Sequence, residues 1–221
     1  MESYLRFGYR CLMVGGALVA AGGLVYAATY TTPFSADVVT TGFLVGAVLR
    51  LLGVVGIMGG MAALGVRQAD RSRASGLVAG LVMTGALTFW AGTVFIDLFV
   101  SGALAKANAA LVDGTESDDR MSLGFMLAFF IVALAFIAFG IVTLRARTFP
   151  RSLGWLLIAT GVVALVPLPV SFPVSDLELG ILMVCAGLMA SRVASPGHEV
   201  AVASGVSSSR SATTLQIDSS N

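Results

Sequence analysis

The sequence predicts an all-α, polytopic transmembrane bundle of about six helices with both termini in the cytoplasm. Three observations carry this: an apolar composition, six apolar runs near membrane-spanning length, and arginines confined to alternate connections. Of 221 residues, 57% are hydrophobic and 11% charged, against roughly 25% charged in an ordinary soluble domain. Mean hydropathy is +0.93. A water-soluble core cannot hide that much apolar surface. With a net charge of +1 there is no basic patch for nucleic acid. Cys11 and Cys185 lie inside apolar runs without CxxC spacing, so they read as small apolar residues rather than a disulfide or redox pair.

The apolar runs fall near 11–30, 44–66, 75–97, 123–144, 153–170 and 177–191, within a transmembrane domain over 1–192. At about 1.5 Å per residue, some 20 residues cross a hydrocarbon core of about 30 Å. The first four runs manage this easily. The first can also be read as a secretory signal, because Arg6 and Arg10 precede it and Val25-Tyr26-Ala27 ends like a cleavage site. Its length exceeds the roughly 7–15 residues of a signal core, which favours a retained helix. The fifth run is stopped by Pro167, Pro169 and Pro173, and the sixth spans only if its helix takes in Asp176 and Glu178.

Orientation follows from the basic residues. Arg6 and Arg10, then Arg67, Arg71 and Arg73, then Arg145, Arg147 and Arg151, and finally Arg192 all fall on one side of a six-crossing path. The opposite connections hold Lys106 and Arg120 among Asp37, Asp113, Glu116, Asp118, Asp119 and Asp176. The arginine-rich side is therefore cytoplasmic. Trp155 just past Arg151, and Tyr26, Tyr30 and Trp90 at the other boundary, are placed as interfacial belts.

Outside the helices little chemistry is written. The 101–122 connection has a short Ala-rich helical piece followed by Gly114-Thr115-Glu116-Ser117-Asp118-Asp119. That segment lacks the alternating ligands of a calcium loop and reads as a solvated acidic loop. Residues 193–221 read as a disordered cytoplasmic tail carrying the chain's one histidine, His198, so no His-centred metal or acid–base site lies within the membrane.

Helix packing is better specified. Gly42, Gly46, Gly53, Gly56 and Gly60 fall within a roughly 80° arc of the second helix. Gly42/Gly46 and Gly56/Gly60 form GxxxG pairs, and the third helix opens with Gly76 and Gly80. This predicts a close antiparallel hairpin of helices two and three around the Arg67–Arg73 turn. The fourth helix separates Gly124, Ala128, Ala135 and Ala138 from Phe125, Phe129, Phe136 and Phe139, and the small stripe is expected to face protein.

Four charged residues inside or beside the apolar runs, Arg50, Asp97, Asp176 and Glu178, are the candidates for a binding centre. Arg50 stands about 25 Å above Arg67 on an ideal helix, in the outer leaflet, and Asp176 about 24 Å above Arg192. Asp176 shares a face with Gly180 and Gly187, so Arg50–Asp176 is the favoured ion pair. Asp97 is placed higher, and Glu178 on the other side of its helix. Two readings compete: charges lining an outward-facing cavity for a polar solute or lipid headgroup, or Arg50 snorkelling while the carboxylates begin the sixth helix. The second is favoured.

No phosphate loop, HExxH, GxSxG or Schiff-base lysine is present, so no enzyme, cofactor or metal is expected. Arg147-Thr148-Phe149-Pro150-Arg151-Ser152-Leu153-Gly154-Trp155 and the apolar stretch to Val162 resemble the turn between late helices in small six-helix bacterial inner-membrane proteins of unknown function. The resemblance implies a bacterial cytoplasmic membrane and no activity. The expectation is a non-catalytic accessory or structural helix-packing protein whose partners are the bilayer and other helices, in this chain or another copy. The alternative is a small transporter or binding protein using the Arg50 region.

Overall fold

A computed structural model describes residues 2–29, 34–72, 74–113, 119–165 and 172–193, and these are helical throughout apart from turns. Six longer helices are α1 (Glu2–Thr29), α3 (Thr41–Ser72), α4 (Ala74–Ile96), α7 (Asp119–Ala146), α8 (Arg151–Leu165) and α9 (Phe172–Val193). Short helices α2 (Phe34–Asp37), α5 (Gly102–Ala107) and α6 (Ala109–Val112) lie between them, with a π-helical turn at Asp97–Ser101 joining α4 to α5. Four helical stretches, Glu2–Thr29, Thr41–Ser72, Ala74–Ala107 and Leu123–Ala146, are long and apolar enough to cross a membrane. Val193 closes α9, and the rest of the predicted tail, Tyr30, the prolines at 167 and 169, and residues 114–118 of the acidic loop lie outside the described residues.

In packing order the helices run α9, α1, α3, α4, α7, α8, with α8 touching α9 only lightly. Large apolar side chains point outward, among them Phe7, Leu81 and Leu123, each 66% exposed. Contiguous exposed apolar surface on this scale suits lipid and is a liability in water. Small residues and selected large ones fill the inside, so what holds the helices together is close backbone approach more than apolar burial.

The glycine stripe of α3 does not pack where the sequence suggested. It faces α1, because α1 answers it with glycines of its own. A Cβ on Gly53 would lie 2.7 Å from the Gly15 carbonyl oxygen, one on Gly60 2.5 Å from Leu12 Cβ, and one on Gly46 3.1 Å from the Gly22 carbonyl oxygen. Gly42 meets the Thr29 methyl, and Gly56 lies over the Gly15 backbone. Gly8, Gly15 and Gly22 recur every seven residues, the period that keeps one face of a helix on a partner. Helices α3 and α4 do form a hairpin, but its glycine contacts lie near the turn, with Gly80 on Gly65 and Gly76 on Ala69 and Ser72. On its other flank α1 receives α9: a Cβ on Gly180 would stand 2.5 Å from the Gly16 carbonyl oxygen, and one on Gly187 2.5 Å from Met13 Cγ.

Two further expectations are corrected. In α7 the small stripe is only half inside: Ala128 and Ala135 are buried, whereas Gly124 and Ala138 are exposed and Phe136 and Phe139 are among the most buried side chains. Both stripes are shared because α7 must contact α4 and α8 at once. Tyr26 and Trp90 are buried within the protein and do not form a lipid-facing belt. Trp155 is 62% exposed. Pro150 immediately precedes α8, and Leu153 N–H donates to its carbonyl at 3.0 Å. Arg147 ends α7 in the left-handed region at φ 50°, a common way to close a helix though usually with glycine.

Candidate functional site

Arg50 lies in the first third of α3, inside its apolar run, where an unpaired charge would be costly, and it is buried against three other elements. Its Nε is 2.7 Å from Asp176 Oδ2 on α9, and its second guanidinium contact, Nη1 to Asp97 Oδ2, is 3.4 Å. The side chains of Arg50 and Asp176 are 7% and 3% exposed, and that of Asp97 is 17% exposed. The short Nε contact lacks hydrogen-bond alignment, so it is charge attraction rather than a directed bond. Helix α9 takes in Asp176 and Glu178, as the sixth run required. Glu178 is half-buried and forms no ion pair among the described residues, so three of the four candidates come together and Glu178 does not.

The local sequence explains the geometry. Gly22 of α1 leaves room for the aliphatic stem of Arg50, whose Cγ would lie 2.7 Å from a Cβ there. One turn outward Tyr26 places its ring 5.9 Å from the guanidinium carbon, a cation–π arrangement. Asp97 opens the π-helical turn, and such turns are enriched at functional sites.

Above the cluster sits a lid. Phe43 packs edge-on against both Tyr26 and Phe34, with centroids 5.4 and 5.8 Å apart. Val38, Ala47, Leu98, Ala105 and Val112 complete this apolar plug. The Ser35 N–H and hydroxyl both donate to the Asp113 carboxylate at 2.7 Å, tying α2 to the end of α6. The Thr40 hydroxyl accepts from Phe43 N–H at 3.1 Å and caps α3.

A second polar contact, not anticipated from sequence, lies toward the other end of the bundle. The Gln68 side-chain amide donates to the Thr143 hydroxyl, which donates in turn to the Phe139 carbonyl at 2.8 Å. Both side chains are buried. Gln68 sits next to Arg67 near the end of α3 and so reads as part of a solvated turn. Its burial depends on α7, which no local pattern discloses.

Between α4 and α7 an open apolar groove of about 520 Å³ is lined by residues including Thr88, Phe89, Gly92, Thr93, Gly124 and Phe125. Among the described residues no group of three or more His, Cys, Asp or Glu could hold a metal ion. Comparison with protein-family models, curated proteins and solved structures finds no match for this chain.

Proposed function

We propose that the chain is a non-catalytic, multi-pass protein of a bacterial cytoplasmic membrane, with six crossings and both termini inside, acting as an accessory or structural helix-packing protein. The observation that carries this reading is the fate of Arg50. Two carboxylates of the same chain occupy its guanidinium, and Tyr26 and the aromatic plug close over it. A transporter site presents such a charge to a water-filled cavity. The six-crossing count adds α8 and α9 to the four long helices. The 22 residues of α9 reach about 33 Å at the helical rise. The 15 residues of α8 reach about 22 Å, and apolar residues continue after them at 166, 168 and 170. The glycine seams and the outward apolar surface suit contacts with lipid and with other helices, in this chain or another copy.

The test is thiol labelling in intact cells, with Cys11 and Cys185 first replaced by alanine. An impermeant reagent should modify a cysteine at Thr115, but neither one at Ser72 nor one at Ala47, which is buried in the plug. Labelling at Ser72 alone reverses the orientation. Labelling at Ala47 means water reaches the Arg50 region, and the transporter or binding reading then takes over.

A further inference from the structure

The Arg50 cluster contains more acid than base. Arg50 is its one cation, yet both Asp97 and Asp176 contact it. With both carboxylates ionised, the cluster would hold one negative charge in excess at a position enclosed by α1, α3, α4 and α9. An uncompensated charge in such surroundings is strongly disfavoured, and a proton is the smallest species that removes it.

The two carboxylates are not equivalent. Asp176 makes the tight contact, 2.7 Å to Nε, and is the more enclosed. Asp97 is looser, at 3.4 Å, more exposed, and borne on the π-helical turn beneath the lid. The tight partner is the natural ionised one, and the looser one has the better route to water. At the cluster's end of the surrounding elements the titratable groups are Tyr26 of α1, Asp37 of α2, Lys106 of α5, Glu178 of α9, and Asp113 after α6. Asp113 is engaged by Ser35, and Asp37 is buried with partners of its own. Among the described residues none of these supplies a second cation to the cluster: the ion pairs of Arg50, Asp97 and Asp176 are with one another alone.

We propose that the Arg50–Asp97–Asp176 cluster is a proton-binding site in which Asp97 carries an exchangeable proton while Asp176 remains the ionised partner of Arg50. The step is simple binding: Asp97 takes a proton from the outer aqueous side, one carboxylate O–H bond forms, and the cluster becomes neutral. The proposal rests on the reading that α3, α4 and α9 lie within the bilayer.

The test is infrared difference spectroscopy of the full chain in phosphatidylethanolamine–phosphatidylglycerol nanodiscs as pH is raised. The wild type should lose a buried carboxylic-acid C=O band. Asp97→Asn should lack that band while keeping the Arg50–Asp176 pair. Asp176→Asn should also lack it, since Arg50 and Asp97 then balance. Thermal melting in detergent gives a second readout. A proton held only by the folded chain makes Tm fall as pH rises, and Asp97→Asn should flatten that slope. A wild type without the band, or a band that survives in Asp97→Asn, overturns the proposal. So does a cluster stabilised by sodium in place of a proton. A fluorophore on a cysteine at lipid-facing Leu52, in a chain lacking Cys11 and Cys185, checks the underlying reading with brominated lipid. Without quenching the membrane placement itself fails, whereas quenching without the band defeats the proton alone.

Discussion

The seam between α1 and α3 and the seam between α4 and α7 both carry glycines, and they close very differently. At α1–α3 the central glycines meet backbone: a Cβ on Gly15 would stand 2.6 Å from the Gly53 carbonyl oxygen, and one on Gly22 2.7 Å from that of Gly46. At α4–α7, Gly92 and Gly124 have nothing within 4 Å of a Cβ, and the helices leave a groove of about 520 Å³ between them. A glycine creates close approach only when the facing helix is also small at the same level. Helix α1 offers that on both flanks, so α3 and α9 close onto it. Between helices α4 and α7 the groove is lined by Phe89 and Phe125 beside Gly92 and Gly124, so the small residues do not meet backbone there. The tight seam is also where the charge is: Gly22 makes the space that Arg50 occupies.

The largest effect that would break this comparison is loss of Arg50. Arg50→Leu leaves two carboxylates without their cation, and removing one partner of a buried pair typically costs about 3–5 kcal/mol. Asp176→Leu should cost less, because Asp97 remains to neutralise Arg50. In melting experiments in detergent, the double variant should recover part of the Arg50→Leu loss. Strictly additive losses would show that Arg50 and Asp176 do not depend on one another, and that the charge could be removed without disturbing the seam.

Next in size is overpacking. Gly53→Leu and Gly15→Leu would drive a side chain into backbone, and excess volume in a packed interior costs about 1–3 kcal/mol, sometimes more. Gly124→Leu, at the open seam, should change stability by less than about 0.5 kcal/mol, as surface substitutions generally do. Comparable melting of the two sets would mean that the α1–α3 seam opens in the membrane as freely as α4–α7.

How much of this could be read beforehand depended on whether a property belongs to one helix or to two. The apolar runs overlap the long helices but do not mark their ends evenly: α4 begins at Ala74, one residue from the expected 75, whereas α1 begins at Glu2, nine residues before the expected 11. The Arg50–Asp176 pair was legible because a lone charge in an apolar run must find a partner, and residue counting put both at one height. Asp97 was placed too high to join them, because counting residues along ideal helices fixes backbone heights and leaves out the reach of the Arg50 side chain, whose Nη1 comes within 3.4 Å of the Asp97 carboxylate. The glycine stripe of α3 was visible, but its partner was not. The seven-residue spacing of Gly8, Gly15 and Gly22 was the available signal, and GxxxG spacing drew attention to α4 instead. The inward turn of Phe136 and Phe139, and the Gln68–Thr143 contact, depend on neighbours distant in sequence and have no local signature.

The smallest effect sharpens the comparison most, because a single methyl group should act with opposite sign at the two seams. Within a helix, alanine is favoured over glycine by roughly 0.5–1 kcal/mol, since it restricts the unfolded chain more and exposes less backbone. At Gly92 and Gly85 a Cβ meets nothing within 4 Å, so that intrinsic gain is unopposed. Gly92→Ala and Gly85→Ala should each raise stability by a few tenths up to about 1 kcal/mol. At Gly15 the same methyl would sit 2.6 Å from both the Gly53 carbonyl oxygen and the Ile57 nitrogen, where backbone on both sides leaves no flexible side chain to yield. Gly15→Ala should therefore lose stability despite the better helix propensity. Melting temperatures of the single variants in one detergent decide it: equal gains at Gly15 and Gly92 would mean that α1 and α3 have slack at their closest crossing.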